Sequence, residues 1–138
     1  MRAFLPCAAL FLTGAAQAPE PTSIEGLWRS PGGNSIIGIA PCGEGLCGTV
    51  KWASQKAIDD ARKGTDQLVG SDLLTDLEQK KPGQWQGKLF VPDKDARVTA
   101  KIQLAKDGKL RVSGCLAGKS LCRSQLWVRT AEPLPASD

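Results

Sequence analysis

Apolar and polar residues alternate most regularly between residues 98 and 112. The apolar members are Val98, Ala100, Ile102 and Leu104, followed after a turn by Leu110 and Val112, with polar residues between them. A period of two places the apolar set on one face of a β-strand and the polar set on the other. Asp107-Gly108 between the two runs is a common hairpin turn. The pattern predicts an antiparallel hairpin with one buried and one solvated face.

The flanking chain divides into further short segments that are bounded by glycine and proline. These segments span residues 24–30, 35–41, 46–53, 84–91 and 121–129. Together with the hairpin they make seven predicted strands. Gly48, Gly87 and Gly114 stand inside strands, where glycine often marks a bend or bulge that lets a sheet curl.

Residues 54–82 interrupt this pattern. A charged, helix-favouring run comes first, and an apolar group follows at Leu73, Leu74 and Leu77. Ser54 and Ser71 are typical N-cap residues, so we expect one or two short helices here, with room for an eighth strand. A long connection in a small barrel commonly forms a lid or part of a binding site.

A tryptophan stands near each end of the predicted sheet. Trp28 follows Gly26 in the first strand, and one face of the last strand carries Arg123, Gln125, Trp127 and Arg129, because side chains two apart point the same way. With Arg129 close to Trp28, the first and last strands would lie side by side. We therefore predict an all-β fold, a small antiparallel up-and-down β-barrel of about seven or eight strands with one or two short helices in a long connection.

The N-terminus is typical of a secretory signal peptide. Arg2 supplies a positive start, residues 3–16 are apolar with small residues toward the end, and cleavage is expected before Gln17. We expect four segments: a signal peptide (1–16), a loose leader (17–23), the barrel domain (24–130) and a loose C-terminal tail (131–138). The mature protein would be exported, periplasmic or secreted, and it contains no other apolar run long enough to span a membrane.

Composition is that of one ordinary globular domain. The chain is 41% hydrophobic and 23% charged, and its formal net charge of +4 falls to +3 when Arg2 is lost with the signal peptide. Acids and bases are interleaved without long runs of one sign. A nucleic-acid partner is therefore not expected.

The cysteines indicate disulfides. Four remain after the loss of Cys7, an even number in an exported chain. Their spacings are wider than those of usual zinc sites and the chain has no histidine, so no metal is expected. Four cysteines allow three connectivities. Local bonds Cys42–Cys47 and Cys115–Cys122 would each close a glycine-containing turn, whereas crossed bonds would need the two turns side by side, so we favour the local pairs.

The residues that most enzymes need are missing. The mature chain would contain no histidine, no tyrosine and no free cysteine, so the usual nucleophile–base pairs cannot be assembled. The carboxylate pairs Asp59-Asp60 and Asp93/Asp95 lie in polar turn or helix-end contexts, where solvated acids are the rule. We expect neither an enzyme nor a cofactor.

Several short motifs together resemble one bacterial family. They are Glu25-Gly26-Leu27-Trp28, Ala40-Pro41-Cys42-Gly43, Leu46-Cys47-Gly48, Trp85-x-Gly87, and Gly114-Cys115 through Leu121-Cys122-Arg123-x-Gln125-x-Trp127-x-Arg129. Over nearly all of residues 24–129 the chain resembles the small exported bacterial proteins called domain of unknown function 2147. The resemblance implies a lipocalin-like barrel in which the late arginine stacks on the first-strand tryptophan. It implies no activity.

Two regions depart from that family's pattern. Leu126 and Val128 stand where the family usually has small hydroxyl residues. The Pro92-Asp93 turn lacks the usual glycine and the tyrosine after it. The outer face of the last strand and this turn are therefore the parts for which the resemblance predicts least.

Two functions remain open for such a barrel. In the first, a small apolar or amphipathic ligand binds inside, and the contacting residues are Trp28, Trp52, Trp85, Arg123, Gln125, Trp127 and Arg129. An acidic head group is favoured, because an inward arginine needs an anionic partner. In the second, the tryptophans are core residues, and the filled barrel is a protein-interaction, inhibitor or structural module of the cell envelope.

Overall fold

The protein is an eight-stranded barrel in a computed structural model that describes residues 23–116 and 121–130. Within them the strands are β1 (Gly26–Arg29), β2 (Ser35–Cys42), β3 (Gly45–Ala53), β4 (Asp72–Lys81), β5 (Gln84–Val91), β6 (Ala96–Leu104), β7 (Leu110–Leu116) and β8 (Leu121–Thr130). Each strand pairs antiparallel with the next, and β8 pairs back with β1. The predicted up-and-down β-barrel is confirmed, with eight strands.

Some sequence predictions concern residues outside the described part of the chain, which leaves out residues 1–22, 117–120 and 131–138. The signal peptide, nearly all of the leader and the C-terminal tail fall there. They stay predictions.

The barrel closes through a short seam between β1 and β8. Trp28 is the register partner of Arg129, and one pair flanks it on each side. By contrast, β5 and β6 are paired at eight positions. The first and last strands therefore meet at Trp28 and Arg129, as predicted from the sequence. They are paired at only three positions.

Strand β4 carries a bulge that interrupts its alternation of buried and exposed residues. Leu74 and Leu77 are both fully buried although they are three residues apart, a spacing typical of a helix. Asp76 has a φ of 52°, and the register with β5 shifts between Thr75 and Glu78. The extra residue returns Leu77 to the inner face, so this strand lacks a period of two.

One short helix, α1 (Gln55–Asp60), follows β3. Ser54 is its N-cap, as predicted, and the Ser54 hydroxyl accepts a hydrogen bond from the Ala57 amide at 3.1 Å. The second predicted cap is wrong. Ser71 leads into β4, and its hydroxyl donates to the Leu68 carbonyl at 2.6 Å.

The core occupies the inward positions of the strands. Its buried members are Ile24, Trp28, Ile37, Ile39, Leu74, Leu77, Trp85, Ala100, Ile102, Leu110, Val112 and Trp127. The alternation predicted for β6 and β7 is confirmed, since Ala100, Ile102, Leu110 and Val112 are at most 4% exposed.

Two disulfides close two hairpins. Cys42 is bonded to Cys47 across the β2–β3 turn. Cys115 is bonded to Cys122, its register partner, with the Cα atoms 3.9 Å apart. These are the local pairs that the sequence favoured.

Two of the three strand glycines lie at irregularities of the sheet. The register of β3 with β4 shifts on both sides of Gly48. Gly87 lies opposite the β4 bulge. Gly114 sits instead in regular register between Ala100 and Arg123, so it marks no bulge.

Candidate ligand-binding site

One end of the barrel is plugged by Trp28 and Arg129. The Trp28 side chain is fully buried, and its indole Nε1 donates to the Ile24 carbonyl at 2.8 Å. The Arg129 guanidinium carbon lies 4.3 Å from the centroid of the Trp28 ring. The Arg129 Nη1 and Nη2 donate to the carbonyls of Glu25 (2.7 Å) and Ser23 (2.9 Å). This arrangement ties the segment before β1 to the last strand.

Gly26 is required by that plug. Its φ of 128° lies in a region that L side chains rarely adopt. A Cβ placed there would also come within 2.8 Å of Arg129 Nη1. The glycine two residues before the tryptophan therefore makes room for the stacked arginine.

A cavity of about 260 Å³ lies within the barrel toward the other end of β8. Its walls are mostly apolar and consist of Leu73, Leu89, Phe90, Val91, Pro92, Val98, Val112, Gly114, Leu116 and Trp127. The polar lining residues are Asp93, Lys94, Arg123 and Gln125. An apolar chamber with a few polar groups is the usual design of a small-molecule site.

Strand β8 supplies three of the lining residues. Trp127 is 3% exposed, and its Nε1 donates to the Gln125 side-chain carbonyl at 3.0 Å. That bond fixes the Gln125 amide, whose nitrogen has no hydrogen-bond partner among the described residues. The predicted grouping of Arg123, Gln125 and Trp127 around one space is what the structure shows.

The environment of Arg123 differs from the expected one. The residue is exposed to solvent although it lines the cavity. Its charge is therefore hydrated, and Arg123 does not need the anionic partner that a buried arginine would need. Any preference for an acid has to come from the balance of charges around the opening.

The 3₁₀ turn Pro92–Lys94, here called the mouth turn, forms part of that opening. Asp95 ends it in a left-handed conformation (φ 45°) and returns the chain into β6. The mouth turn adds Asp93 and Lys94 to the lining, so two cations and one carboxylate surround the opening. The sequence predicts this segment only as a turn, because nothing in its composition places it over the cavity.

A second, more open cavity of about 660 Å³ adjoins the first. The two share Leu73, Gln125 and the whole mouth turn. The second cavity also touches α1 and the 3₁₀ turn Ala61–Lys63, both in the connection that was predicted to act as a lid or binding element. A molecule could therefore extend from the apolar chamber past Gln125 toward the helix.

The four tryptophans do not meet around one ligand space. In the described structure only Trp127 lines the cavity. Trp28 belongs to the plug, Trp85 is a core residue that is 6% exposed, and Trp52 is half-buried on β3 opposite Ile36. Arg129 likewise lies at the plug, at the far end of its strand from Arg123.

The sequence does not distinguish the apolar wall residues from the core. Leu89, Val98 and Leu116 line the chamber at the strand ends near the mouth. The alternation of β5, β6 and β7 does place them on the inner face. The alternation cannot show, however, that the packed core ends before it reaches these three residues and leaves a cavity beside them.

The described acidic residues near α1 are engaged with neighbouring cations at the surface. Lys56 Nζ lies 2.8 Å from Asp60, and Arg62 lies 3.1 Å from Asp59. The hydrogen bond from Lys56 to Asp60 and their mutual attraction raise the pKa of Lys56.

Within residues 23–116 and 121–130 no three His, Cys, Asp or Glu side chains are grouped to hold a metal ion. No helix in the same residues combines the length and apolarity needed to cross a membrane.

Comparisons with known proteins agree with this architecture. The model of a family described as an uncharacterized protein conserved in bacteria (DUF2147) matches residues 26–129. A solved structure, described as protein HP1028 from the human pathogen Helicobacter pylori and as belonging to the lipocalin family, superposes with a TM-score of 0.59. The superposition covers 80% of this chain and 85% of that one at 11% sequence identity, which shows the fold alone. No curated protein matches the sequence. The chain belongs to the DUF2147 family, and its fold is a lipocalin-like barrel.

Proposed function

We propose that the barrel binds a small amphipathic molecule without transforming it. The observation that carries this is the apolar chamber that opens between Arg123, Gln125 and the mouth turn. The apolar part of the ligand would pack against Trp127 and the aliphatic walls. The polar part would lie at the opening, where donors are available.

The charges at the opening favour an acidic head group. Arg123 and Lys94 outnumber Asp93, and neither cation forms an ion pair in the described structure. The Gln125 amide nitrogen, which has no partner among the residues that the structure describes, offers a further donor. A carboxylate at this position would accept charge-assisted hydrogen bonds, which are stronger than neutral ones.

The size of the chamber limits the ligand. Its volume of about 260 Å³ lies just below the usual range of small-molecule sites, about 300–1,000 Å³. A short or medium aliphatic chain fits it better than a large ring system. A longer ligand would have to use the adjoining cavity beside α1.

Export is part of the proposal. The two disulfides are compatible with an oxidising compartment, which is where residues 1–16 would direct the chain. The protein would then meet its ligand in the bacterial envelope or outside the cell. Its role there would be carriage or sequestration.

Binding can be tested by titrating the chain from residue 17 with medium-chain fatty acids and with the alcohols of the same length. Trp127 serves as the fluorescent reporter, since it lines the chamber. We expect the acid to bind about tenfold more tightly than the alcohol, which is the contribution of an exposed charged hydrogen bond. Arg123→Gln should remove this preference. Lys51→Gln, an equal charge change on β3, should retain it.

A cavity-filling variant makes the test decisive. Val98 is half-buried in the chamber wall, so Val98→Phe should occupy the space and abolish binding of acid and alcohol alike. Unfolding of the variant by urea checks that it still folds. If Val98→Phe binds like the parent, the chamber is not the site. If the parent binds no member of the panel, the filled interaction module becomes the better interpretation.

A further inference from the structure

Charged residues are distributed unevenly around the barrel wall. Strands β5 to β8 contain Lys88, Arg97, Lys101, Arg111, Arg123 and Arg129 and no Asp or Glu. By contrast, β4 contains Asp72, Asp76 and Glu78. Four consecutive strands therefore form a wall whose side chains carry only positive charge.

Two of these cations face outward without a partner. Lys101 and Arg111 are exposed, while the residues before and after each of them are buried. Neither forms an ion pair with any residue that the structure describes, and the same holds for exposed Lys81 on β4. Lys80 and Lys88 differ, because they lie 3.1 Å from Glu78 and 4.0 Å from Asp76.

The unpartnered cations border one groove on the outside of the barrel. The groove measures about 430 Å³, and its lining includes Lys80, Lys81, Lys101 and Arg111 together with Gln84, Gln86, Gln103 and Ser113. Register places Lys81, Gln84, Gln103 and Arg111 in one row across four strands, about 14 Å wide at the usual strand spacing. Trp85 and Ile102 complete the lining, and no carboxylate of the described residues belongs to it. The polar groups that the groove offers are positive charges, neutral amides and the Ser113 hydroxyl.

An apolar ridge borders the groove. Leu126 is the register partner of Arg111, and it is 44% exposed. Val128, two residues further along the same face of β8, is 50% exposed. This face of the sheet therefore presents exposed apolar side chains directly beside cations. Such a surface is amphipathic.

We propose that this outer basic face (Lys81, Lys101, Arg111, Leu126 and Val128) docks the protein on a bilayer rich in anionic phospholipid head groups. The cations and amides would contact phosphates, while Leu126 and Val128 would enter the interfacial region. A free anion in the groove would leave the apolar ridge without a role. A second copy of the chain would bring like charges together.

Co-sedimentation with vesicles tests this with the chain from residue 17, which retains the whole described barrel and lacks the apolar segment 3–16. Binding is expected to vesicles containing phosphatidylglycerol and not to vesicles of phosphatidylcholine. It should weaken as salt is raised. Lys101→Gln/Arg111→Gln should reduce the partition coefficient about 25-fold, since each cation near an anionic surface contributes about fivefold.

Two further variants separate this face from net charge. Lys51→Gln/Lys56→Gln makes the same change of charge on β3 and α1, away from the groove, and should alter binding less than about twofold. Leu126→Ser/Val128→Ser should weaken binding about tenfold while leaving its salt dependence unchanged.

The proposal is overturned by any of three results. The first is an absence of binding to anionic vesicles at low salt. The second is an equal loss in the Lys51/Lys56 control, which would show that only net charge acts. The third is full binding by the Leu126/Val128 variant together with equal affinity for soluble polyphosphate, which would assign the groove to a free polyanion. Because none of these residues lines the chamber, each result is independent of ligand binding there.

Discussion

The plug at the closed end of the barrel makes a quantitative prediction. Trp28→Ala removes a fully buried side chain, and such truncations destabilise by about 3–5 kcal/mol. Arg129→Ala removes a stacked cation, worth about 0.5–2 kcal/mol, and two hydrogen bonds to carbonyls, about 1 kcal/mol each before allowance for the exposure of Arg129. We expect a loss of about 1–3 kcal/mol for the arginine variant.

The two losses should not add. Once the Trp28 ring is absent, Arg129→Ala can cost only its hydrogen bonds to Glu25 and Ser23, so the stack appears as a coupling of about 0.5–2 kcal/mol. Trp28→Phe is the matched control. It keeps a ring beneath the guanidinium but loses the indole bond to the Ile24 carbonyl, so it should preserve part of the coupling.

The measurement is urea unfolding of the two single variants and the double variant with both disulfides intact. A constant slope against denaturant would show that each variant still unfolds from the same compact state. Single losses that add within about 0.3 kcal/mol would contradict the proposed stack, because that is the scatter expected of independent sites. Arg129 would then hold the backbone of Ser23 and Glu25 through its hydrogen bonds alone.

Two other changes test the sheet. Gly87→Ala should destabilise by about 1–3 kcal/mol, because a Cβ there would lie 2.5 Å from the Thr75 backbone oxygen and β4 would have to move; an unchanged urea midpoint would show that the bulged strand yields easily. Cys115→Ser/Cys122→Ser should cost about 2.5 kcal/mol by loop entropy, and peptide mapping without reduction should first recover these two cysteines in one linked peptide. A linkage from either of them to Cys42 would contradict the pairing.

Most of the barrel could be predicted from local pattern. β6 alternates cleanly along its length, and β7 does so from Leu110 to Val112, because one face packs in the core and the other meets solvent. β4 could not be predicted in this way. The bulge at Asp76 sets Leu74 and Leu77 three residues apart on one face, and that spacing also fits a helix.

The candidate site was only partly predictable for a different reason. Spacing on β8 placed Arg123, Gln125 and Trp127 on one face, and the structure gathers them around the chamber. Their exposure depends on how far the core fills the barrel. The position of the mouth turn depends on contacts between segments far apart in sequence. Neither property is encoded in any short motif.

The shortness of the β1–β8 seam implies that the barrel wall is not equally strong all the way round. Three residue pairs hold this seam, compared with eight between β5 and β6, so separating β1 from β8 breaks far fewer ladder contacts than separating β5 from β6. The Trp28–Arg129 stack lies at the middle pair. It adds a side-chain contact between two strands that share few backbone pairs. Transient opening of the barrel should therefore begin with the separation of β1 from β8. Amide protons near this seam should exchange with solvent before those of β5 and β6.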